Sequence, residues 1–160
     1  MKTEKNYKNL IKQFPNVFGD LSYIDCGIGW YDLLSSLAGE LDILIKNWIA
    51  ANEDKFCIDC NQTQEEHPYT FYFDNGKTIT CEVFNLMLPQ AVQVKEKFGG
   101  LRFYTRFYIK GMEKIISKYE KLSFTTCENC GNTGEICGKS WYTVLCTECN
   151  ERKEKNGKFN

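Results

Sequence analysis

Two pairs of cysteines near the carboxyl end constrain this sequence more than any other feature. The string TCENCGNTGEICGKSWYTVLCTEC holds two CxxC pairs with fifteen residues between them. Each pair can place two sulfurs on one side of a tight turn, and four thiolates complete the tetrahedron that zinc prefers. The spacing therefore predicts one structural zinc ion, bound by Cys127, Cys130, Cys146 and Cys149.

The residues around these cysteines indicate how the module folds. Gly131 suits a tight turn after the first pair, and residues 150–155 after the second pair are polar and compatible with a helix. This order resembles treble-clef, GATA-like and zinc-ribbon-like modules. The residues between the two pairs can fold as a short hairpin, in which Trp141, Val144 and Leu145 would cover the metal. Because four cysteines leave no coordination position for water, the ion is expected to be structural and not catalytic.

Two further thiols have an open interpretation. Cys137, between the pairs, is either a small buried residue of an inner hairpin, which we favour, or an exchanging ligand. Cys26, in the string YIDCGIGWY, is either buried beside Trp30, which we also favour, or a reactive thiol at the positive end of a helix. The single histidine lies far away in sequence, so a Cys-His nucleophile has little support.

Composition limits the class of protein. The 160 residues, 42% of them hydrophobic, suffice for one sizeable core with a metal-held appendage. Nine cysteines, an odd number without a signal sequence, favour thiols in a reducing compartment over disulfides.

Twenty basic and twenty-one acidic residues nearly cancel, so the protein creates no strong electrostatic field overall and any anion site must be local. No apolar stretch reaches membrane-helix length, and we expect a soluble cytoplasmic protein.

Periodic apolar positions predict three helices. The first covers residues 7–14 and is stopped by Pro15, the second is amphipathic over 30–50, and the third covers 109–122. Core contacts are also expected from Val17 and Phe18.

Aromatic and β-branched runs predict two hairpins, one over residues 69–84 and one over 91–108 with Gly99-Gly100 as its turn. We therefore expect an α+β main domain over 1–123, with amphipathic helices packed on a small antiparallel sheet, and a zinc module with a polar tail over 124–160.

The stretch over residues 52–85 reads as an insertion that could hold a second metal ion. It contains another CxxC pair, a histidine and a fourth cysteine, which would form a Cys3His site: Cys57, Cys60, His67 and Cys81. Their spacing is permissible for zinc but not diagnostic. Ordinary thiols and a loop histidine are the alternative.

The second hairpin carries the candidate ligand-binding residues. Counting outward from Gly99-Gly100 places Lys97 opposite Arg102 and Val94 opposite Thr105. One side should be core: Val92, Val94, Phe98, Leu101, Phe103 and Phe107. The other side collects Gln93 and the candidate binding residues Lys95, Lys97, Arg102, Tyr104 and Arg106. Opposed cations call for an anion such as phosphate, and a tyrosine can stack on a base. A solvated face, or one neutralised by Glu113 or Glu120, is the alternative.

Three strings, CGIGWYDLL, VQVKEKFGGLRFY and CENCG with LCTEC, resemble in this order a family of small uncharacterised phage and prophage proteins. The resemblance covers roughly residues 14–35 and 91–149, and KEKFGGLRFY is its most specific part. It implies a phage or prophage setting, and no established activity comes with it.

We therefore expect a non-enzymatic accessory protein that binds nucleic acid or a nucleotide, in a role that could counter host defence. The alternative is an inhibitor that binds a host protein through aromatic surface near Tyr69, Trp141 or Tyr142. An enzyme is the third and weakest class, because the cysteine module lacks the histidines of a metal-dependent nuclease and the proline of a deaminase motif.

Overall fold

Two short helices begin the described part of the chain. The computed structural model describes residues 5–19, 21–51, 70–72, 78–80 and 88–155. Helix α1 covers Tyr7–Gln13, and the side chain of Asn6 caps it by accepting from the backbone N–H of Lys8. Helix α2 covers Pro15–Phe18 and ends at Gly19, which has a positive φ. Val17 and Phe18 are fully buried, as predicted.

A long helix forms the centre of the main core. A single 3₁₀ turn over Ile28–Trp30 leads into α3, which covers Tyr31–Ala50. The predicted apolar stripe of α3 faces the core: Leu34, Leu37, Ala38, Leu41, Ile45 and Ile49 are buried.

Two strands of the described chain are very short. Strand β1 covers Thr70–Tyr72 and pairs antiparallel with β2 over Thr78–Thr80, which confirms strand pairing in the first predicted hairpin. The remainder of that hairpin lies outside the described residues.

The second hairpin has a different register from the predicted one. Strand β3 covers Ala91–Lys97 and pairs antiparallel with β4 over Gly100–Thr105. The turn is Phe98-Gly99, with φ of 55° and 77°, because a two-residue type I′ turn needs positive φ at both positions. Gly100 instead begins β4, where a Cβ would overlap the ring of Phe124.

This register corrects part of the predicted core. Val94, Leu101 and Phe103 are buried as expected, and Phe107 is partly buried. Phe98, now in the turn, is 68% exposed. Val92 is 53% exposed, because an irregularity between Ala91 and Gln93 interrupts the pairing and buries Ala91 in its place.

A last helix of the main body packs on both α3 and β4. Helix α4 covers Met112–Ser123 and buries Met112, Ile116 and Tyr119, whereas Leu122 at its end is exposed, against expectation. Its carboxyl end is tied to β4, since the backbone N–H of Leu101 donates to Ser123 Oγ at 2.8 Å. The main body is thus α+β, with helices packed against a two-stranded antiparallel sheet.

The chain ends in the cysteine module. Strand β5 covers Glu135–Cys137, β6 covers Thr143–Leu145, and the two pair antiparallel. Helix α5 covers Thr147–Lys155 and follows directly.

Candidate metal centre and ligand-binding face

The structure brings the four predicted cysteine ligands together. One Sγ from each of Cys127, Cys130, Cys146 and Cys149 lies within 4.8 Å of the others, and two of them, on Cys130 and Cys146, are 3.6 Å apart. Four sulfurs at 2.3 Å from a tetrahedral ion would be about 3.8 Å from one another. The donor set and its spacing therefore fit a metal ion.

The first CxxC pair lies in a tight loop. The backbone N–H of Gly131 donates to the carbonyl oxygen of Cys127 at 2.8 Å, and that of Cys127 donates to the carbonyl oxygen of Asn132 at 2.7 Å. Gly131 has a φ of 84°, which permits this turn at no steric cost. Both bonds fold the loop back on itself so that its two sulfurs face the same side.

The second pair lies at the start of a helix, as expected from the sequence. Cys146 ends the connection from β6, and Cys149 is in the first turn of α5, where it is buried. Val144 and Leu145 are buried in this module, whereas Trp141 is 74% exposed and does not cover the cluster. The expectation failed for Trp141 because it lies in the loop before β6, outside the packed hairpin.

Cys137 is not one of the clustered sulfurs. Its Sγ donates instead to the carbonyl oxygen of Glu135 at 3.3 Å, and its side chain packs against the buried residues of the module. This contact favours the hairpin-residue interpretation over ligand exchange.

The thiols of the cluster differ in their acidity. Burial opposes ionisation of Cys127, but the backbone N–H groups of Cys146, Cys130 and Asn129 outweigh it and lower the pKa to about 7. At Cys130 the N–H of Asn132 favours the thiolate, yet burial and the neighbouring thiols raise the pKa to about 12. Several thiolates cannot share this small volume by themselves, and a divalent cation would supply the missing positive charge.

The cysteine loop also holds the turn that precedes α3. Gly27 donates its backbone N–H to Glu128 Oε1, and Gly29 donates its own to the carbonyl oxygen of Glu128, both at 2.8 Å. The indole N–H of the buried Trp30 donates to the carbonyl oxygen of Thr126 at 2.7 Å. The CGIGW and CENCG strings therefore meet at one contact.

Two glycines permit this close approach. A Cβ on Gly27 or on Gly29 would overlap the backbone of the cysteine loop, in the second case 2.6 Å from the amide nitrogen of Cys130. The role of Glu128 was not predicted from the sequence. Two signals were available: Glu128 is a carboxylate directly after the metal-ligand candidate Cys127, and Gly27 and Gly29 had no packing role assigned to them.

Cys26 lies beside this contact and is not an activated thiol. Burial, followed by the negative charges of Glu128, Asp25 and Glu96, raises its pKa well above the ordinary value. The structure thus contradicts the alternative of a lowered pKa at a helix end, because these carboxylates and the burial act against ionisation.

Four of the five candidate ligand-binding residues lie on the solvent side of β3 and β4, namely Lys95, Lys97, Arg102 and Tyr104. The fifth, Arg106, is exposed and follows β4 directly. We call this set of five the cationic hairpin face. Lys95 lies opposite Arg102, whereas Lys97 lies opposite Gly100 and not opposite Arg102 as predicted. The turn lies one residue earlier than predicted, so the pairing shifts by two positions, which changes the partners of the strand residues but not the side on which each lies.

Aromatic rings, not carboxylates, contact these cations. Lys95 Nζ lies 5.9 Å from the ring centre of Tyr104, and the guanidinium carbon of Arg102 lies 5.9 Å from that of Phe124. No ion pair links the cations of this face to a carboxylate within the described residues. Glu120, a predicted neutralising acid, instead accepts from the backbone N–H of Phe103.

A third backbone segment extends this face. The N–H of Asp25 donates to the carbonyl oxygen of Val94, and the N–H of Glu96 donates to that of Asp25, both at 2.9 Å. Two residues earlier, Tyr23 is 68% exposed. Sequence reasoning missed Tyr23, because only the tertiary fold places its segment along β3.

The second metal site proposed for Cys57, Cys60, His67 and Cys81 lies outside the described residues. None of the described helices is both long and apolar enough to cross a membrane. Comparison of the chain with protein-family models, with curated proteins and with solved structures gave no match.

Proposed function

We propose that this chain is a non-enzymatic binding protein, stabilised by zinc, whose cationic hairpin face binds single-stranded nucleic acid. One observation carries the proposal: three cationic side chains and a tyrosine share one solvent side of a hairpin, Arg106 is exposed directly after it, and none of these cations forms an ion pair within the described residues. Opposed cations repel each other on a strand pair, and bound phosphates would remove that repulsion.

Exposed tyrosines complement the cations. Tyr104 lies on the face itself, and Tyr23 lies on the neighbouring segment that pairs with β3. Every base has a π-face, so stacking on such side chains adds about 1–3 kcal/mol per base without requiring a particular sequence. Alternating phosphate and stacking contacts are the usual means of holding a single strand.

The shape of the face supports a polynucleotide over a free nucleotide. Four of the candidate residues lie along two extended strands and Arg106 follows the second strand, with side chains that range from half-buried to exposed. Small ligands are usually bound in concave sites that bury most of their surface. An extended strand of nucleic acid can instead contact several of these side chains in succession.

Zinc is the ion we propose for the metal centre. Four thiolates in a tetrahedral arrangement are a typical structural zinc set, and the ion would hold the cysteine loop against Gly27 and Gly29. Its role is to fix the surface beside the hairpin. As part of the same proposal, the protein belongs to a phage or prophage and acts against a host defence system. The motivation is the resemblance of CGIGWYDLL, VQVKEKFGGLRFY and CENCG with LCTEC to phage and prophage proteins.

Fluorescence anisotropy with a labelled oligothymidylate of about 12 nucleotides tests the proposal at several salt concentrations. The double variant Lys97→Gln and Arg106→Gln should weaken binding at least roughly tenfold and lower the salt slope by about 1.4, since each phosphate contact contributes about 0.7 for single strands. The matched control replaces two exposed lysines of α1, Lys8→Gln and Lys12→Gln, and should bind like the unmodified protein.

Equal affinity and slope in the double variant and in the unmodified protein would exclude this face as the binding site. If a mononucleotide or a cyclic dinucleotide competes at micromolar concentration and its binding depends little on salt, the ligand of this face is a nucleotide and not a polynucleotide.

A further inference from the structure

A second surface lies beside the cationic hairpin face and has the opposite character. It is a pocket of about 520 Å³ between the turn before α3, the Phe98-Gly99 turn and the loop before β6. Carboxylates and aromatic side chains line it together: Asp25, Glu96, Glu128, Phe98, Trp141 and Tyr142. Neither the metal centre nor nucleic-acid binding uses these side chains.

The aromatic side chains of the pocket are unusually exposed. Trp141 and Phe98 are exposed at 74% and 68%, and Tyr142 at 43%. They come from two separate turns that meet at this pocket, so their clustering is a product of the tertiary fold. Clustered exposed aromatic residues of this kind are typical of a surface that binds a partner.

The Phe98 ring already has a cation beside it. Lys97 Nζ lies 5.3 Å from the centre of this ring. Attraction between a cation and an aromatic face contributes more when the cation is partly removed from water, as in a pocket lined by Phe98 and Trp141. The rings therefore suit a cationic ligand.

The carboxylates give the pocket an excess of negative charge. Among the described residues that line the pocket there are three carboxylates, Asp25, Glu96 and Glu128, and one cation, Lys97. Glu128 is held by Gly27 and Thr143, while Glu96 uses one oxygen to accept from the backbone N–H of Gly99. The second oxygen of Glu96 and both side-chain oxygens of Asp25 accept no hydrogen bond from the described residues.

The pKa of Glu96 agrees with this charge excess. Burial is the main cause that raises this pKa, and the Glu128 and Asp25 carboxylates add to it, although the backbone N–H of Gly99 and the Arg102 guanidinium act in the opposite direction. A bound cation would remove both the mutual repulsion and part of the desolvation cost.

We propose that this pocket binds an arginine side chain presented by an extended basic segment of a partner protein. A guanidinium is planar, stacks on indole and phenyl faces, and donates two parallel hydrogen bonds to a carboxylate, whereas an ammonium can do only part of this. The pocket is larger than one guanidinium, and the exposed indole of Trp141 at its rim leaves contact area for the residues on either side of the arginine.

Isothermal titration with three capped Gly-Ser peptides tests the proposal, the peptides carrying two arginines, two lysines or two glutamines at the same positions. The arginine peptide should bind at least severalfold more tightly than the lysine peptide, and the glutamine peptide should not bind. Trp141→Ala and Glu96→Gln should each weaken the arginine peptide roughly tenfold. Glutamine can still accept from Gly99, so this variant removes the charge and keeps the turn.

Ile136→Ala is the matched control, because Ile136 is exposed on the same small hairpin but does not line the pocket. It should leave peptide affinity unchanged. No binding of the arginine peptide at millimolar concentration, equal binding of arginine and lysine peptides, or unchanged affinity in both pocket variants would overturn the proposal.

The same variants separate this pocket from the cationic hairpin face. Trp141→Ala and Glu96→Gln should leave oligothymidylate affinity within about twofold. Lys97→Gln should instead strengthen binding of the arginine peptide and weaken binding of the oligonucleotide, because Lys97 is the one cation among the described residues that line the pocket.

Discussion

The backbone N–H of Gly29 donates to the carbonyl oxygen of Glu128 at 2.8 Å, and this bond joins the turn before α3 to the cysteine loop 99 residues later. The bond matters because the loop has little apolar surface of its own. Its geometry depends on the cysteine cluster on one side and on the buried Trp30 on the other. Binding of a metal ion at this cluster would therefore be coupled to the packing of the main core through a few backbone contacts.

Removal of the metal should destabilise the whole chain and not the module alone. A structural zinc site is worth about 10–16 kcal/mol in small peptides, comparable with the stability of a domain. A strong chelator should lower the melting temperature by at least roughly 10 °C, and added zinc should restore it. Circular dichroism during heating measures this, with native mass spectrometry to count the metal.

Cys127→Ser and Cys137→Ser form a matched pair for this prediction. The first should lose the metal, whereas the second should keep it, because Cys137 lies outside the cluster. Full metal content in Cys127→Ser, or a chelated protein that melts at an unchanged temperature, would contradict the assignment.

Gly29→Ala should destabilise the protein by about 1–3 kcal/mol, the usual cost of forcing extra volume into a packed contact. The added methyl would lie 2.6 Å from the amide nitrogen of Cys130 and cannot be accommodated without moving the cysteine loop. Urea denaturation measures the change in the free energy of unfolding.

Gly39→Ala is the control for this substitution. Gly39 lies within α3, and a Cβ there meets no atom within 4 Å. Alanine should therefore stabilise the protein by about 0.5–1 kcal/mol through helix propensity alone. Equal effects of the two substitutions would show that Gly29 and the cysteine loop do not pack as described.

Phe98→Asn should stabilise the fold while it removes part of the aromatic pocket. Phe98 has a φ of 55°, a conformation that costs an ordinary residue about 1–2 kcal/mol. Asparagine followed by Gly99 is the preferred type I′ pair, and little buried surface is lost. We expect an increase of up to about 1 kcal/mol in the free energy of unfolding, together with weaker arginine-peptide binding.

Gly99→Ala gives the opposite comparison, since φ is 77° at that position. It should destabilise the protein, and thermal denaturation of the two variants checks the sign. A destabilised Phe98→Asn variant would mean that the phenyl ring contributes to the fold more than its exposure indicates.

Glu96→Gln should stabilise the protein at neutral pH. Burial, with help from Glu128 and Asp25, raises the pKa of Glu96 in the folded state, so the folded protein binds this proton more tightly than the unfolded chain does. The ionised form therefore costs stability above the folded pKa, and the cost disappears as the pH falls below the unfolded value of about 4.3.

The difference in unfolding free energy between Glu96→Gln and the unmodified protein should thus be positive at pH 7 and shrink as the pH falls through the raised folded pKa toward the unfolded value of about 4.3. Urea titrations at matched metal content measure it. A difference that grows with falling pH would show that the carboxylate is stabilised, not strained, by its surroundings.

Local sequence signals were sufficient for the longer helices, for the hairpins and for the four clustered cysteines, whereas the short helix α2, which begins at Pro15, was not predicted. The apolar stripe of α3 follows from a 3.6-residue period, and the CxxC spacing is a property of single turns, so both can be recognised without distant contacts. The hairpin register was harder to predict. Gly99 and Gly100 suggested the turn, but Phe98 adopts the first positive φ of the turn instead. Gly100 lies in β4, where the ring of Phe124 leaves no room for a Cβ.

The sequence by itself determined which residues could form helices, strands and a four-thiolate site, because these depend on neighbours a few positions apart. Only the tertiary structure decided that Gly27 and Gly29 pack on the cysteine loop, that Tyr23 extends the cationic hairpin face, and that Phe98, Trp141 and Glu96 line one pocket. These relationships join segments from about 40 to 100 residues apart in the chain, and they arise from packing and backbone hydrogen bonds that no local pattern records.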